Sequence, residues 1–146
     1  MLARFLARLV GRDRTSVPTR RLGARGEALA ARYLKRLGYR ILAKNARLHF
    51  GEADIVAESP DRRDIVICEV KTRLRGTGRS AQGESIAPEA SVHAHKRQKL
   101  AAIAKALSKA NGWQNRPVRI DVIAIDWPAA AGKPALRHHI GIQTGR

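Results

Sequence analysis

The sequence predicts an α/β domain, a mixed sheet with flanking helices, on three observations. Two stretches of helical apolar spacing, near 23–37 and 95–110, bracket a cluster of β-rich runs. Those runs, at 39–46, 54–58 and 64–71, are joined by short connections, which favours an antiparallel meander. A further alternating run follows the second helix at 118–125. At 146 residues the chain fits one domain, large enough to bury roughly two-thirds of its unfolded surface.

The first residues are set apart from that domain. Leu2, Phe5, Leu6, Leu9 and Val10 follow helical spacing, with Arg4, Arg8 and Arg12 on another face. The arginines interrupt any signal-peptide core. A basic amphipathic stretch suits contact with lipid, nucleic acid or protein; the plainer reading is a frayed basic extension. Thr15-Ser16-Val17-Pro18 reads as a linker, so residues 1–20 are assigned as extension and residues 21–146 as the domain.

Within the domain, Glu27, Ala28, Ala31, Leu34 and Leu37 mark the first helix, with Gly38 as its C-terminal cap. Tyr39 to Ala46 is the first strand, with Ile41 turned inward, and Asp54 to Glu58 the second. Ser59-Pro60-Asp61 is a turn signal, followed by a strand rich in β-branched residues from Asp64 to Lys71. Residues 72–91 hold Gly76, Gly78, Gly83 and Pro88 and few large apolar groups, the composition of a long loop. His95 to Ala110 is the second helix, with Leu100, Ile103 and Leu107 as its stripe and Asn111-Gly112 as its stop. Val118, Ile120, Val122 and Ala124 share one face of the next strand. A last strand is expected between Leu136 and Ile142.

Charge narrows the partner. A net charge of +17 attracts polyanions, and lysines and arginines release counterions when they neutralise phosphates. Nucleic acid is the leading partner, DNA ahead of RNA, with an anionic membrane surface second. Aromatic residues are only 4%, too few for a base-stacking platform, which favours backbone or shape recognition of duplex or branched DNA. The lone Cys68 cannot form an internal disulfide, and no run approaches the ~18 apolar residues of a membrane span. A cytoplasmic location without integral membrane association is the expectation. His93, His95, His138 and His139 lack the partners or spacing of a zinc site.

The chemistry-bearing set is Asp54 on one strand and Glu69-Val70-Lys71 at the end of the next. Side chains two apart on a strand share a face, about 6.5 Å from each other, so Glu69 and Lys71 point together while Cys68 and Val70 face the other way. Asp54, on the neighbouring antiparallel strand, lies close to that end. Two carboxylates and the Val70 carbonyl form a hard oxygen set suited to magnesium or manganese. Lys71 is then placed to orient water or to stabilise charge developing on phosphate. Glu-x-Lys alone is weak, since about one chain in three of this length carries it by chance. An exposed same-face ion pair is the plain alternative.

Three groups of segments stand out: Gly26-Glu27 through Ala30, Tyr33-Leu34, Gly38-Tyr39, Ile41-Leu42 and Asn45; then Gly51 to Ala57 and Val66 to Arg73; then Ser91-Val92, Lys96, Lys99-Leu100 and Arg119 to Val122. In that order they resemble the YraN family of predicted endonucleases. The resemblance spans roughly residues 23–125. It implies a restriction-endonuclease-like fold related to archaeal Holliday-junction resolvases, with an acid, Asp, Glu-x-Lys site. By position it makes Glu27 a helix-borne acid reaching the metal directly or through water, Asp54 and Glu69 metal ligands, and Lys71 the catalytic lysine. Ala53 stands where the family usually has a larger aliphatic residue, and the loop from Gly76 to Pro88 is longer than its counterpart.

Lys96, Arg97 and Lys99 cluster at the start of the second helix, where unpaired N–H groups and the dipole favour phosphate. Lys96, Lys99 and Arg73 are the candidate DNA contacts. Asp121 interrupts an apolar pattern and reads as a structural hydrogen-bonding residue. The expectation is a magnesium- or manganese-dependent nuclease acting on DNA, branched or flapped, with a symmetric dimer by analogy. The alternative is a basic nucleic-acid-binding module of the same fold without turnover. A basic RNA- or ribosome-associated protein is a third class, for which no specific motif is present.

Overall fold

The structure, a computed structural model, describes residues 17–75 and 94–142, with side chains for 20–75 and 98–142. The amphipathic stretch at 2–12, the Gly76–Pro88 loop and His93 lie outside the described residues.

Helix α1 runs Val17–Arg36, starting ahead of the expected position. Val17-Pro18, expected as linker, is instead its first turn, where proline's missing N–H would have had no intrahelical partner anyway. The helix ends at Gly38, whose φ of 89° only glycine adopts without strain. Tyr39 N–H donates to the Leu34 carbonyl and Gly38 N–H to that of Lys35, each at 3.0 Å, which closes a Schellman cap. Leu34 and Tyr39 then bury together in one core cluster. Ala30, Ala31 and Leu34 carry the inward stripe, while Leu37, expected inside, stands half exposed beside the cap.

Strands β1 (Arg40–Leu48), β2 (Gly51–Glu58) and β3 (Ile65–Arg75) form the expected antiparallel meander. Helix α2 (Ala94–Asn111) crosses over to β4 (Val118–Pro128), which pairs parallel to β3, and β5 (Ala135–His139) returns antiparallel. The spatial order is β1-β2-β3-β4-β5. Both β3 and β4 outrun their predicted lengths because each extends the other, in register from Ile65↔Val118 to Arg75↔Pro128. The last strand is shorter than expected, although Ile142 N–H still reaches the Ile120 carbonyl at 2.8 Å.

The helices cover opposite faces. Leu100, Ile103 and Leu107 of α2 pack on Val56, Ile65, Ile67 and Val122. Ala30, Ala31 and Leu34 of α1 pack on Ile55, Val66, Cys68 and Ile123. Alternation along β3 therefore divides its side chains between two cores, and Cys68 is a buried hydrophobe. The result is a five-stranded mixed sheet between helices, an α+β arrangement consistent with a restriction-endonuclease-like core. No helix among the described residues is long and apolar enough to cross a membrane.

Candidate functional site

The β2–β3 ladder runs from Glu58↔Ile65 to Ile55↔Cys68 and stops. Continued by two residues, it would bring Ala53 opposite Val70. Instead the Val70 N–H donates to Asp54 Oδ2 at 2.7 Å. A side-chain carboxylate thus satisfies a backbone donor that would otherwise be buried unpaired. The Val70 carbonyl leaves the strand on the same edge as its N–H, toward Asp54.

Beside this junction lies a cleft of about 230 Å³, lined by Gly51, Glu52, Asp54, Glu69, Lys99, Leu100 and Ile103. Asp54 and Glu69 are buried at 8% and 6% exposure. Lys71, on the same strand face as Glu69, sets its Nζ 3.5 Å from Glu69 Oε1. Arg73 is exposed two residues further along that face, and Lys99 is exposed on α2 at the cleft. Lys96 lies in the first turn of α2; its side chain is outside the described residues.

Glu27 reaches the site from the other helix. A Cβ on Gly26 would overlap Thr72 Oγ1, so α1 approaches β3 as closely as only glycine permits. The next residue, Glu27, is half-buried, and the Asn45 amide donates to its carboxylate. Asn45 sits in β1 with a φ of 49°, a left-handed conformation that asparagine tolerates better than most residues. Glu52, expected as a turn or supporting residue, pairs with Arg47 at 2.6 Å on the exposed rim.

Crowding of like charges sets the electrostatics. Burial, then the Glu69 charge, push Asp54 up to about 7 against the opposing Val70 N–H, and Glu27 and Glu52 add to the rise. Burial also raises Glu27, opposed by the Asn45 bond, with Glu52 and Glu69 raising it further. Glu27, Asp54, Glu69 and Lys71, separated by up to 44 positions in the chain, are brought together.

As positioned, no three His, Cys, Asp or Glu side chains among the described residues converge into a metal-holding group. The donor chemistry still fits a hard divalent cation: two buried carboxylates, a third acid nearby, a carbonyl on the same edge, and mutual repulsion that a cation would relieve. The residues that would hold it are Asp54, Glu69, Glu27 and the Val70 carbonyl.

Sequence reasoning passed over the support for this site. Thr72 and the contact it makes with Gly26 carried no signal, because a close helix–strand approach has no local pattern. Asn45 did leave a trace, as a polar turn-former inside a strand run. On the sheet's other side, Asp121 is fully buried and accepts from Arg119 Nε at 2.9 Å and Gly141 N–H at 2.9 Å, with His138 Nε2 at 2.8 Å. Its structural reading holds, and His138 is explained as its partner.

Residues 26–125 match the uncharacterised protein family UPF0102, a span that takes in all four clustered residues. A UPF0102 protein of Roseiflexus castenholzii is 41% identical over 81% of this chain and 89% of its own length. One from Herpetosiphon aurantiacus is 38% identical over 80% and 89%, and one from Thermodesulfovibrio yellowstonii 45% identical over 72% and 85%. The resemblance to the YraN family is thereby borne out, and the chain belongs to the UPF0102 family.

Proposed function

We propose that this protein is a divalent-cation-dependent nuclease that hydrolyses DNA phosphodiester bonds, with branched or flapped DNA as its substrate class. The observation that carries the reading is the gathering of Asp54 and Glu69 at one cleft, with Lys71 beside Glu69 and Glu27 delivered by α1, in a chain of net charge +17. A protein that only bound DNA would gain nothing from clustered acids facing a polyanion.

When bound, magnesium or manganese would supply positive charge to the scissile phosphate and acidity to a water. Asp54 and Glu69 would hold that charge in place. Lys71, beside Glu69, directs its ammonium to the attacking water or to the phosphate oxygens. Glu27, held by Asn45, would complete the acid set. Lys99 and Arg73, exposed near the cleft, neutralise flanking phosphates, and the low aromatic content fits recognition through the backbone.

The test is a cleavage panel of single-stranded, duplex, flap and four-way DNA, with magnesium, manganese or chelator, run beside Glu69→Ala. Metal-dependent nicking that Glu69→Ala abolishes supports the reading. Equal binding of junction DNA by wild type and a variant lacking all four residues, with no nicking in either metal, sinks it and leaves a binding module.

A further inference from the structure

The two flanks of α2 border different spaces. At about 100° per residue, Lys99, Leu100 and Ile103 point toward the carboxylate cleft, while Ala101, Lys105 and Ser108 point nearly the opposite way. That second flank borders a groove of about 630 Å³, within the size range of ligand sites. Val118 and Ile120, at the start of β4, form its floor and Trp113 its wall.

Three features define what fills it. The lining is largely apolar, and Val118 is left 37% exposed there, although Ile120 on the same strand face and Ile65 paired beside it are buried. The rim is cationic: Lys105 and Lys109 stand exposed on α2, and no acid among the described residues lines the groove. Arg116 is already committed, to Glu58 at 2.7 Å and to the Arg62 carbonyl at 2.8 Å, so the lysines carry the rim's available charge. Finally, Ser108 is 8% exposed, and its hydroxyl lacks a hydrogen-bond partner among the described residues. A buried hydroxyl in that state gains from any ligand that bonds it.

Position argues for an occupant other than the DNA in the cleft. Val118 and Ile120 pair with Ile65 and Ile67, at the start of β3, whereas the cleft is lined by Glu69, further along that strand. A second copy of the chain, at +17, meets the same cations with the wrong sign.

We propose that this groove docks an acidic peptide segment of a partner protein. One apolar side chain inserts between Trp113 and Ile120, flanking carboxylates meet Lys105 and Lys109, and the Ser108 hydroxyl donates to a peptide carbonyl. The proposal does not depend on the nuclease reading.

The experiment titrates the full-length protein into a fluorescein-labelled hexapeptide, four aspartates followed by leucine and phenylalanine, with anisotropy as readout. Saturable binding with a Kd of about 10–50 µM is expected. Lys105→Glu with Lys109→Glu should weaken it at least about tenfold. Ala101→Gln, which fills the groove with a long side chain, should do so as well, with the melting temperature of each variant checked against wild type. A hexa-aspartate peptide should bind about tenfold more weakly, lacking the apolar anchor. Equal binding of hexa-aspartate overturns the proposal, as does an affinity that neither variant changes, or no binding at all to wild type. It also fails if a ten-residue oligothymidylate or phosphatidylglycerol vesicles, rather than the peptide, lose affinity in the two variants.

Discussion

Asp54 holds Val70 across the sheet through its side chain, Oδ2 to N–H at 2.7 Å, at the step where the backbone ladder between their strands ends. The same carboxylate serves the fold and faces the cleft. Burial and its acidic neighbours make that position costly when it is charged.

The cost gives a pH signature. Asp54 titrates at about 7 in the folded protein against an ordinary 3.8, so folding takes up a proton between those values. Its contribution to stability is fully present below the lower value and is lost as pH rises through the upper one. Asp54→Asn keeps an acceptor for Val70 and removes the charge. Urea unfolding at pH 8 should find it about 2–4 kcal/mol more stable than wild type, the gain shrinking toward zero near pH 4, with cleavage gone. A variant no more stable than wild type at pH 8 contradicts this account.

Lys71→Ala should separate chemistry from binding. Nicking of supercoiled DNA in magnesium should fall by about a hundredfold or more, because the ammonium near Glu69 acts on developing charge. Affinity for the same DNA should change less than about threefold, since one phosphate contact among many is a small share of binding. Affinity falling in step with nicking would make Lys71 an anchoring residue only.

Gly26→Ala tests how Glu27 is delivered. The added methyl overlaps Thr72 Oγ1, so α1 must shift off β3 at a cost of about 1–3 kcal/mol. Melting temperature should drop and nicking should fall with it. Combining it with Thr72→Ala should recover most of the stability, because the nearest atoms to that point belong to the Thr72 side chain and the hydroxyl is the one that overlaps. A double variant as unstable as the single one would place the strain elsewhere.

Asp121 ties the far edge together. Burial opposes its ionisation, yet bonds from His138, Arg119 and the Gly141 N–H hold its carboxyl below the usual range. Arg119 also reaches Asp64 and Tyr39 Oη, each at 3.0 Å. Asp121→Ala leaves these donors, the Arg119 guanidinium among them, without their shared acceptor and should cost about 3–5 kcal/mol in urea unfolding. A depressed folded pKa adds stability above the ordinary carboxylate range and loses it as pH falls, so the variant should decline less steeply than wild type below about pH 4. An equal acid slope would remove Asp121 from that role.

Much of this was legible in the chain. Gly38 and Gly112 were read as helix stops, and both take positive φ there. The meander followed from short turns, and the shared face of Glu69 and Lys71 from the strand period. Strand ends were less legible. The predicted third strand stops at Lys71, while β3 runs on to Arg75 because β4 lies beside it. Val118, assigned to an inward face by alternation, is partly exposed because the groove under α2 leaves it uncovered.

The sequence by itself determined element order, helix caps, face-sharing along each strand and the basic field, because each rests on residues within a few positions of one another. Tertiary structure alone decided that α1 would close on Thr72 and carry Glu27 inward, that Asp54 would take the Val70 N–H, and that Arg119 would join Tyr39 to Asp121. The Asp54 and Tyr39 bonds link positions 16 and 80 apart. Their partners are set by how the described helices and strands pack, and no local period encodes that.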